Sequence, residues 1–144
     1  MLHEHFKCCL YFSAARLSRV ITKMAENSFA TIGLSPTYAF LLMVVKDKEK
    51  TTPKELSEIL HIAASTITRF LDKLESKNLI KRNIEGKNCF VTLTEQGNNI
   101  QIDIEKAWKK LYDDYCVVLG NEEAEKITEI FHETSQKLEK SLVK

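Results

Sequence analysis

"AASTITRFLDKLESKNLIKR", residues 63–82, reads as an amphipathic helix running into the start of a strand. Ile67, Phe70, Leu71 and Leu74 fall at helical spacing and form one inward stripe. The first turn and a half is oddly furnished, because Ser65, Thr66, Thr68 and Arg69 crowd around the single apolar anchor Ile67. Solvent-facing helices favour Glu, Lys and Gln there, since short Ser and β-branched Thr lower helix propensity. Asn78 ends the helix, being a residue that tolerates the left-handed conformation used to stop one.

On the N-terminal side, "TTPKELSEIL" (51–60) opens a second short helix. Thr52 is placed to cap it, Pro53 sits at its first position, and Glu55 completes a capping box. Leu56, Ile59 and Leu60 form its apolar face, and His61 and Ile62 make a tight connection. Two short helices about such a turn are a helix-turn-helix pattern. On the other side the period changes from 3.6 to 2. "LIKRNI" and "CFVTLT" read as strands joined by "EGKN", whose Gly86 suits a hairpin turn. The fold class expected is therefore mainly α with a small β-hairpin wing, a winged helix-turn-helix.

Further out, Phe6, Leu10, Leu17, Val20, Ile21 and Met24 keep near-helical spacing, and Gly33 closes that segment. Ser35 and Pro36 start an almost wholly apolar helix through "YAFLLMVV", the centre of a core. Beyond Thr94 two long helical patterns follow, the first through Ile100, Ile104, Ala107, Trp108, Leu111, Tyr115 and Leu119. Gly120 and Asn121 break it and cap the second, which carries Ile127, Ile130, Phe131, Leu138 and Leu142. The organisation expected is one domain over 1–144, with a winged helix-turn-helix at 34–97 and dimerisation helices at 1–33 and 98–144. Long helices cannot cover their own apolar faces against one small winged helix, so a twofold partner is expected.

Composition bounds the rest. Of the 144 residues, 44% are hydrophobic and 28% charged, a globular balance, and the net charge is +1. Overall charge thus does not announce a nucleic-acid binder, and any basic patch must be local. Residues 46–97 hold ten Lys/Arg against eight Asp/Glu, while residues 98–144 hold seven against ten. The basic surplus goes with the short helices and the hairpin. No apolar run reaches the ~18–20 residues of a membrane span. "CCLYFSAA" follows Glu4 without a basic start or clean cleavage site, so it reads as helix and the protein as cytoplasmic, with no membrane partner. The four cysteines form no CxxC pair and read as free thiols in a reducing compartment.

The polar first turn now has a chemical use. A helix in the DNA major groove presents its N-terminal residues to base edges. Short hydroxyls serve donor or acceptor edges and phosphates, while Arg prefers the O6/N7 pair of guanine. Ser65, Thr66, Thr68 and Arg69 fit that chemistry, with Lys73 one turn later for a phosphate. Arg82 and Lys87 add cations from the hairpin. The bland alternative makes Ser and Thr mere caps and Arg69 a solvated charge, and the hairpin decides against it. Double-stranded DNA is the partner expected.

"STITRFLDKLESKNLIKR…CFVTLTEQG" also resembles the core of the multiple antibiotic resistance regulator (MarR) family of bacterial transcription factors. The resemblance spans essentially the whole chain and rests most on "TRFLDKLE", Lys81 with Arg82, and "LTEQG". It implies a homodimer built by the N- and C-terminal helices on palindromic promoter DNA, most often a repressor, modulated by a ligand or an oxidant. Three departures stand out. The wing carries Glu85 and Lys87 where the family has Asp-x-Arg, losing a bidentate fork. Ala63 replaces the usual Ser or Thr cap, forfeiting ~1 kcal/mol. Asn78 replaces a common Gly.

"HEHFKCC" (3–9) is the most reactive stretch. His3, His5, Cys8 and Cys9 are soft-metal ligand types, yet neighbouring cysteines on one helix point about 100° apart and do not share a metal easily; no metal or cofactor is expected. Some hydroperoxide-sensing relatives use a cysteine early in the first helix, near tyrosines. Cys8 and Cys9, with Lys7 and Tyr11 nearby, fit that pattern; the plain alternative is that they are packing residues, as Cys89 and Cys116 are expected to be. A small aromatic or amphipathic effector in a crevice between the winged helix and the long helices is the other expectation; the sequence offers the aromatics Phe12, Tyr38, Phe40, Trp108 and Tyr112 but assigns none of them as a contact. An enzyme is not expected, for there is no glycine-rich phosphate loop and the four histidines lie in unrelated segments. The competing reading is a dimeric winged-helix protein-interaction module without DNA binding.

Overall fold

A computed structural model describes residues 1–143, which form two compact units divided after Trp108. The first unit opens with α1 (Leu2–His5), a 3₁₀ turn (Phe6–Cys8) and α2 (Leu10–Phe29). The helix expected to run unbroken from Phe6 is thus interrupted. Cys9 takes an extended conformation (φ −93°, ψ 115°) and caps α2 through its carbonyl, which accepts from Ser13 N–H at 3.0 Å. Cys8 and Cys9 therefore lie on different elements, both exposed. After a second 3₁₀ turn, Gly33 at φ +69° ends the segment as expected.

Helix α3 (Pro36–Lys48) starts where Ser35 and Pro36 placed it, with Ser35 Oγ accepting from Tyr38 N–H. Its Ala39, Leu41, Leu42 and Val45 are fully buried, so it is the central element of the core. Phe40 meets Phe29 of α2 edge-on at 5.8 Å. Helices α4 (Pro53–Leu60) and α5 (Ala64–Ser76) follow. Thr52 Oγ1 accepts from Glu55 N–H, as a capping residue should. Glu55 answers differently from the standard box, its carboxylate accepting from the hydroxyls of Thr51 and Thr52. Leu56 is buried, whereas Ile59, expected on the same inward face, is exposed.

Strands β1 (Ile80–Glu85) and β2 (Asn88–Leu93) pair antiparallel, Ile80 against Leu93 through Glu85 against Asn88. The turn is tighter than "EGKN" suggests, leaving Gly86 (φ +63°) and Lys87 as its two residues. Thr51 adds a one-residue bridge to this hairpin, exchanging both backbone hydrogen bonds with Val91.

A short α6 (Glu95–Asn99) precedes α7 (Gln101–Leu119). Thr94 caps α6 and ties it to the end of α5. Its hydroxyl donates to Asn78 C=O at 2.6 Å and accepts from Gly97 N–H at 3.0 Å, joining the end of α5 to the start of α6. Gly97 lies so close to Leu79 that any Cβ would run into the Leu79 carbonyl. Buried Gln101 donates to the carbonyls of Leu42 and Gly97. The second unit holds the rest of α7 and α8 (Asn121–Leu142), separated by Gly120 at φ +84°. Among the described residues no single helix is long and apolar enough to cross a membrane.

Candidate nucleic-acid interface

The interface is built on α5. Ile67, Leu71 and Leu74 are buried to 1% exposure or less, which fixes the roll of the helix about its axis. Phe70 packs edge-on against Tyr38 of α3 at 4.7 Å. With that stripe inward, Ser65, Thr68, Arg69 and Lys73 are exposed and Thr66 is half-buried. The sequence-expected group is therefore brought together on one outward face. Thr68 Oγ1 donates to Ala64 C=O at 3.1 Å, leaving its lone pairs outward. Arg69 Nη2 lies 3.4 Å from Thr66 Oγ1, a long contact that holds the guanidinium over the first turn.

The N-terminus of α5 is open, as the missing cap predicts. Ala63 makes no side-chain cap hydrogen bond, so the amides of Ala64 and Ser65 remain available to an anion, that of Thr66 being turned to Ala63 C=O. The turn before it is well held. His61 adopts the left-handed conformation, and Ser57 Oγ donates to Ile62 C=O at 2.5 Å. Sequence reading missed Ser57, because a serine in mid-helix carries no local signal of a partner five residues on.

At the other end, Asn78 takes φ +60°, as expected of the stop residue, and Leu79 N–H donates to Leu74 C=O. The chain then reverses into β1, and Arg82 comes back onto α5. Its guanidinium contacts Asp72 at 2.7 Å and Glu75 at 3.0 Å, and its backbone N–H donates to Glu75 at 3.1 Å. The Arg82 hydrogen bond holds Glu75 below the usual carboxylate range, and in return Glu75 raises Arg82. Arg82 thus braces the wing against the helix rather than reaching outward with Arg69.

A second brace holds the far side of the wing. Lys50 Nζ sits 2.7 Å from Glu85 and 4.1 Å above the centre of the Phe90 ring. Glu85 is thereby occupied, while among the described residues no ion pair engages Arg69, Lys73 or Lys87. Arg69, Lys73 and Lys87, and Lys81 of β1 with them, therefore remain without an ion-pair partner among the described residues.

Comparison with known proteins agrees with this geometry. The sequence profile of the MarR family matches residues 34–86, the segment from before α3 through the wing turn. The HTH-type transcriptional regulator SarZ of Staphylococcus aureus (strain USA300) is 30% identical over 113 residues, covering 76% of this chain and 74% of that one. The chain belongs to the MarR family. As a MarR-family protein it is a DNA-binding transcriptional regulator and not an enzyme. Its fold is shared by a MarR variant from Escherichia coli complexed with operator DNA, with TM-score 0.78, 18% identity and coverage of 87% and 92%. It is also shared by the transcriptional repressor CouR bound to p-coumaroyl-CoA, with TM-score 0.82, 17% identity and coverage of 90% and 94%.

The remaining candidates of this MarR-family chain lie apart from α5. Along α2 runs an open groove of about 420 Å³ lined by Lys7, Phe12, Ser13, Arg16, Leu17 and Val20, with Phe6 stacked on Phe12 at 5.0 Å. In the second unit, Tyr112, Tyr115, Glu125, Thr128, Glu129 and His132 line a cleft of about 380 Å³. Cys116 beside Tyr112, and burial around Tyr115, hold both phenols above their ordinary range. Tyr38 and Phe40 pack on Phe70 and Phe29, and Cys116 is buried with Cys89 half-buried, each a packing position. Among the described residues no three His, Cys, Asp or Glu gather as metal ligands.

Proposed function

We propose that the protein is a homodimeric repressor in which the first turn of α5 reads the major groove of a palindromic promoter site. The observation that carries this reading is the outward face of Ser65, Thr66, Thr68 and Arg69, with an uncapped helix start and Ile67 buried beneath it. Arg69 takes a guanine edge, the hydroxyls take neighbouring edges or phosphates, and Lys73 takes a phosphate. Lys87 meets the backbone beside the flanking minor groove. Arg82 serves by holding the wing at its angle to α5.

Dimerisation is supported by apolar residues in water along the terminal helices. Leu10 and Val20 of α2 are 62% and 52% exposed, and Ile130 and Leu142 of α8 are 59% and 80% exposed. This supports the division into a reading segment, 34–97, and dimerisation helices, 1–33 and 98–144. Twofold symmetry then sets the half-sites about one helical turn, ~34–36 Å, apart or a multiple of it. The groove along α2, with Lys7 and Arg16 beside Phe12, suits a small aromatic or amphipathic effector. CouR, a fold relative, was solved with p-coumaroyl-CoA. The exposed thiols of Cys8 and Cys9 are the groups on which an oxidant would act. A DNA target supports a cytoplasmic location.

The test is duplex affinity against salt. Each phosphate contact releases counterions, so log affinity falls linearly with log salt, and Lys87→Ala lowers that slope by about one. Salt-independent binding, or none, would remove the reading.

A further inference from the structure

Ile84 leaves 81% of its surface in water, although it sits in a strand. The hairpin register explains how. Ile80 with Leu93, Arg82 with Val91, and Ile84 with Cys89 are cross-strand pairs on one face. Ile80 and Val91 are buried in the core, Arg82 is tied to α5, and Ile84 is the next position along, past the edge of the core. The opposite face of the tip is also held, through Glu85 and Phe90 on Lys50. Ile84 is therefore displayed by a hairpin pinned on both faces.

A single exposed apolar residue is ordinary. The charges around this one give it meaning. Glu85, the one acid of the tip, is occupied by Lys50, while Lys87 in the turn has no ion-pair partner among the described residues. The tip presents one apolar knob beside one free cation. A nucleic-acid groove offers the matching surface, with phosphates along its rim and the C–H faces of deoxyribose on its walls.

We propose that Ile84 is a DNA-contacting residue that packs against the deoxyribose walls of the minor groove while Lys87 holds the flanking phosphate. The inference rests on the reading above that α5 occupies the major groove and the wing lies over the adjacent minor groove. Its chemistry sets a distinct signature. An apolar contact releases no counterions, so it adds affinity without adding to the salt slope. A narrow groove encloses it more fully, so the wing favours A·T-rich flanks over G·C-rich ones.

Ile84→Thr keeps a β-branched strand residue while removing most of the apolar surface. Wild type, Ile84→Thr, Ile84→Val and Lys87→Ala are titrated over a salt series on two duplexes differing only in A·T- or G·C-rich flanks. Ile84→Thr is expected to bind the A·T-flanked duplex about tenfold more weakly, with an unchanged slope and no flank preference. Ile84→Val should recover most of the loss, and Lys87→Ala should lower the slope instead. The proposal is overturned if Ile84→Thr binds like wild type, or if its loss comes with a changed slope. It is also overturned if the substitution alters the sedimentation of the free protein, which would make Ile84 a contact between copies. Absence of salt-dependent binding by wild type would fell the DNA reading itself, a result distinct from intact binding with an indifferent Ile84.

Discussion

Residues 34–97 bury most of their apolar side chains, Ile59 and Ile84 apart, whereas α2 and α8 leave most of theirs in water. In the first region Leu41, Leu42, Val45, Leu56, Ile67, Leu74 and Val91 have no exposed surface, and polar groups such as Thr51 and Thr94 are internally hydrogen-bonded. In the second, Leu17, Val20, Ile130, Phe131 and Leu138 form unpartnered stripes. A sequence periodic enough to form long helices but unable to cover them is one that expects company. On the proposed reading, the DNA-reading segment is complete within one copy and its twofold placement is not.

The largest expected effect breaks the open region. Placing charge in the stripe of α8 with Ile130→Glu and Leu138→Glu should convert a dimer to a monomer, read by sedimentation velocity. Affinity for a full palindrome should fall at least about a hundredfold, since the second half-site is no longer tethered. A double variant that stayed dimeric would show that another surface joins the copies.

Next is the closed region. Gly97→Ala puts a Cβ into the Leu79 carbonyl, which forces apart the end of α5 and the start of α6. A loss of ~2–4 kcal/mol in denaturant unfolding is expected. Gly33→Ala, at an open position with φ +69°, should cost less, about 1 kcal/mol.

Arg82→Ala should have a smaller effect on stability, ~1 kcal/mol, because both of its carboxylate partners are substantially exposed. Its effect on binding should come through the wing, with Lys87 no longer contributing its share of the salt slope. Arg82→Lys keeps the charge without the fork and should rescue only part. The pH dependence has a definite sign. Glu75 is lowered in the folded chain, so the folded state binds fewer protons than the unfolded one. Its contribution is present above the ordinary carboxylate value and is lost as pH falls through the lowered one. In Arg82→Ala that acid-side loss should be reduced.

The smallest change sharpens the comparison rather than breaking it. Ala63→Ser restores a cap to α5 and should raise thermal stability by about 1 kcal/mol or less. If the uncapped amides meet a phosphate, duplex affinity should not rise with it.

Much of the closed region is legible in the sequence because its signals are local. Ser35 with Pro36, Thr52 with Pro53, Asn78 and Gly86 each act within four residues of where they stand. The outward face of α5 follows from the Ile67, Leu71 and Leu74 stripe alone. What escaped reading depends on distant partners. Arg82 looked like a free cation until the turn at Asn78 carried it back to Asp72 and Glu75. Glu85 looked equally free until the hairpin brought it to Lys50, 35 residues away. The break at Cys9 left no mark, since apolar spacing continues through it and cysteine is no helix breaker. Ile59 satisfied the period of α4 but lies at the margin of a short helix, where one face cannot all be covered.

The central claim is that the first turn of α5 reads bases, and Arg69 tests it most directly. Competition binding of wild type and Arg69→Ala against duplexes varied one base pair at a time would measure discrimination separately from affinity. The expected result is a loss of ~1–3 kcal/mol on the cognate site, confined to one base pair per half-site, with the salt slope changed little. An Arg69→Ala protein that folds, dimerises and still ranks every base pair as wild type does would contradict it.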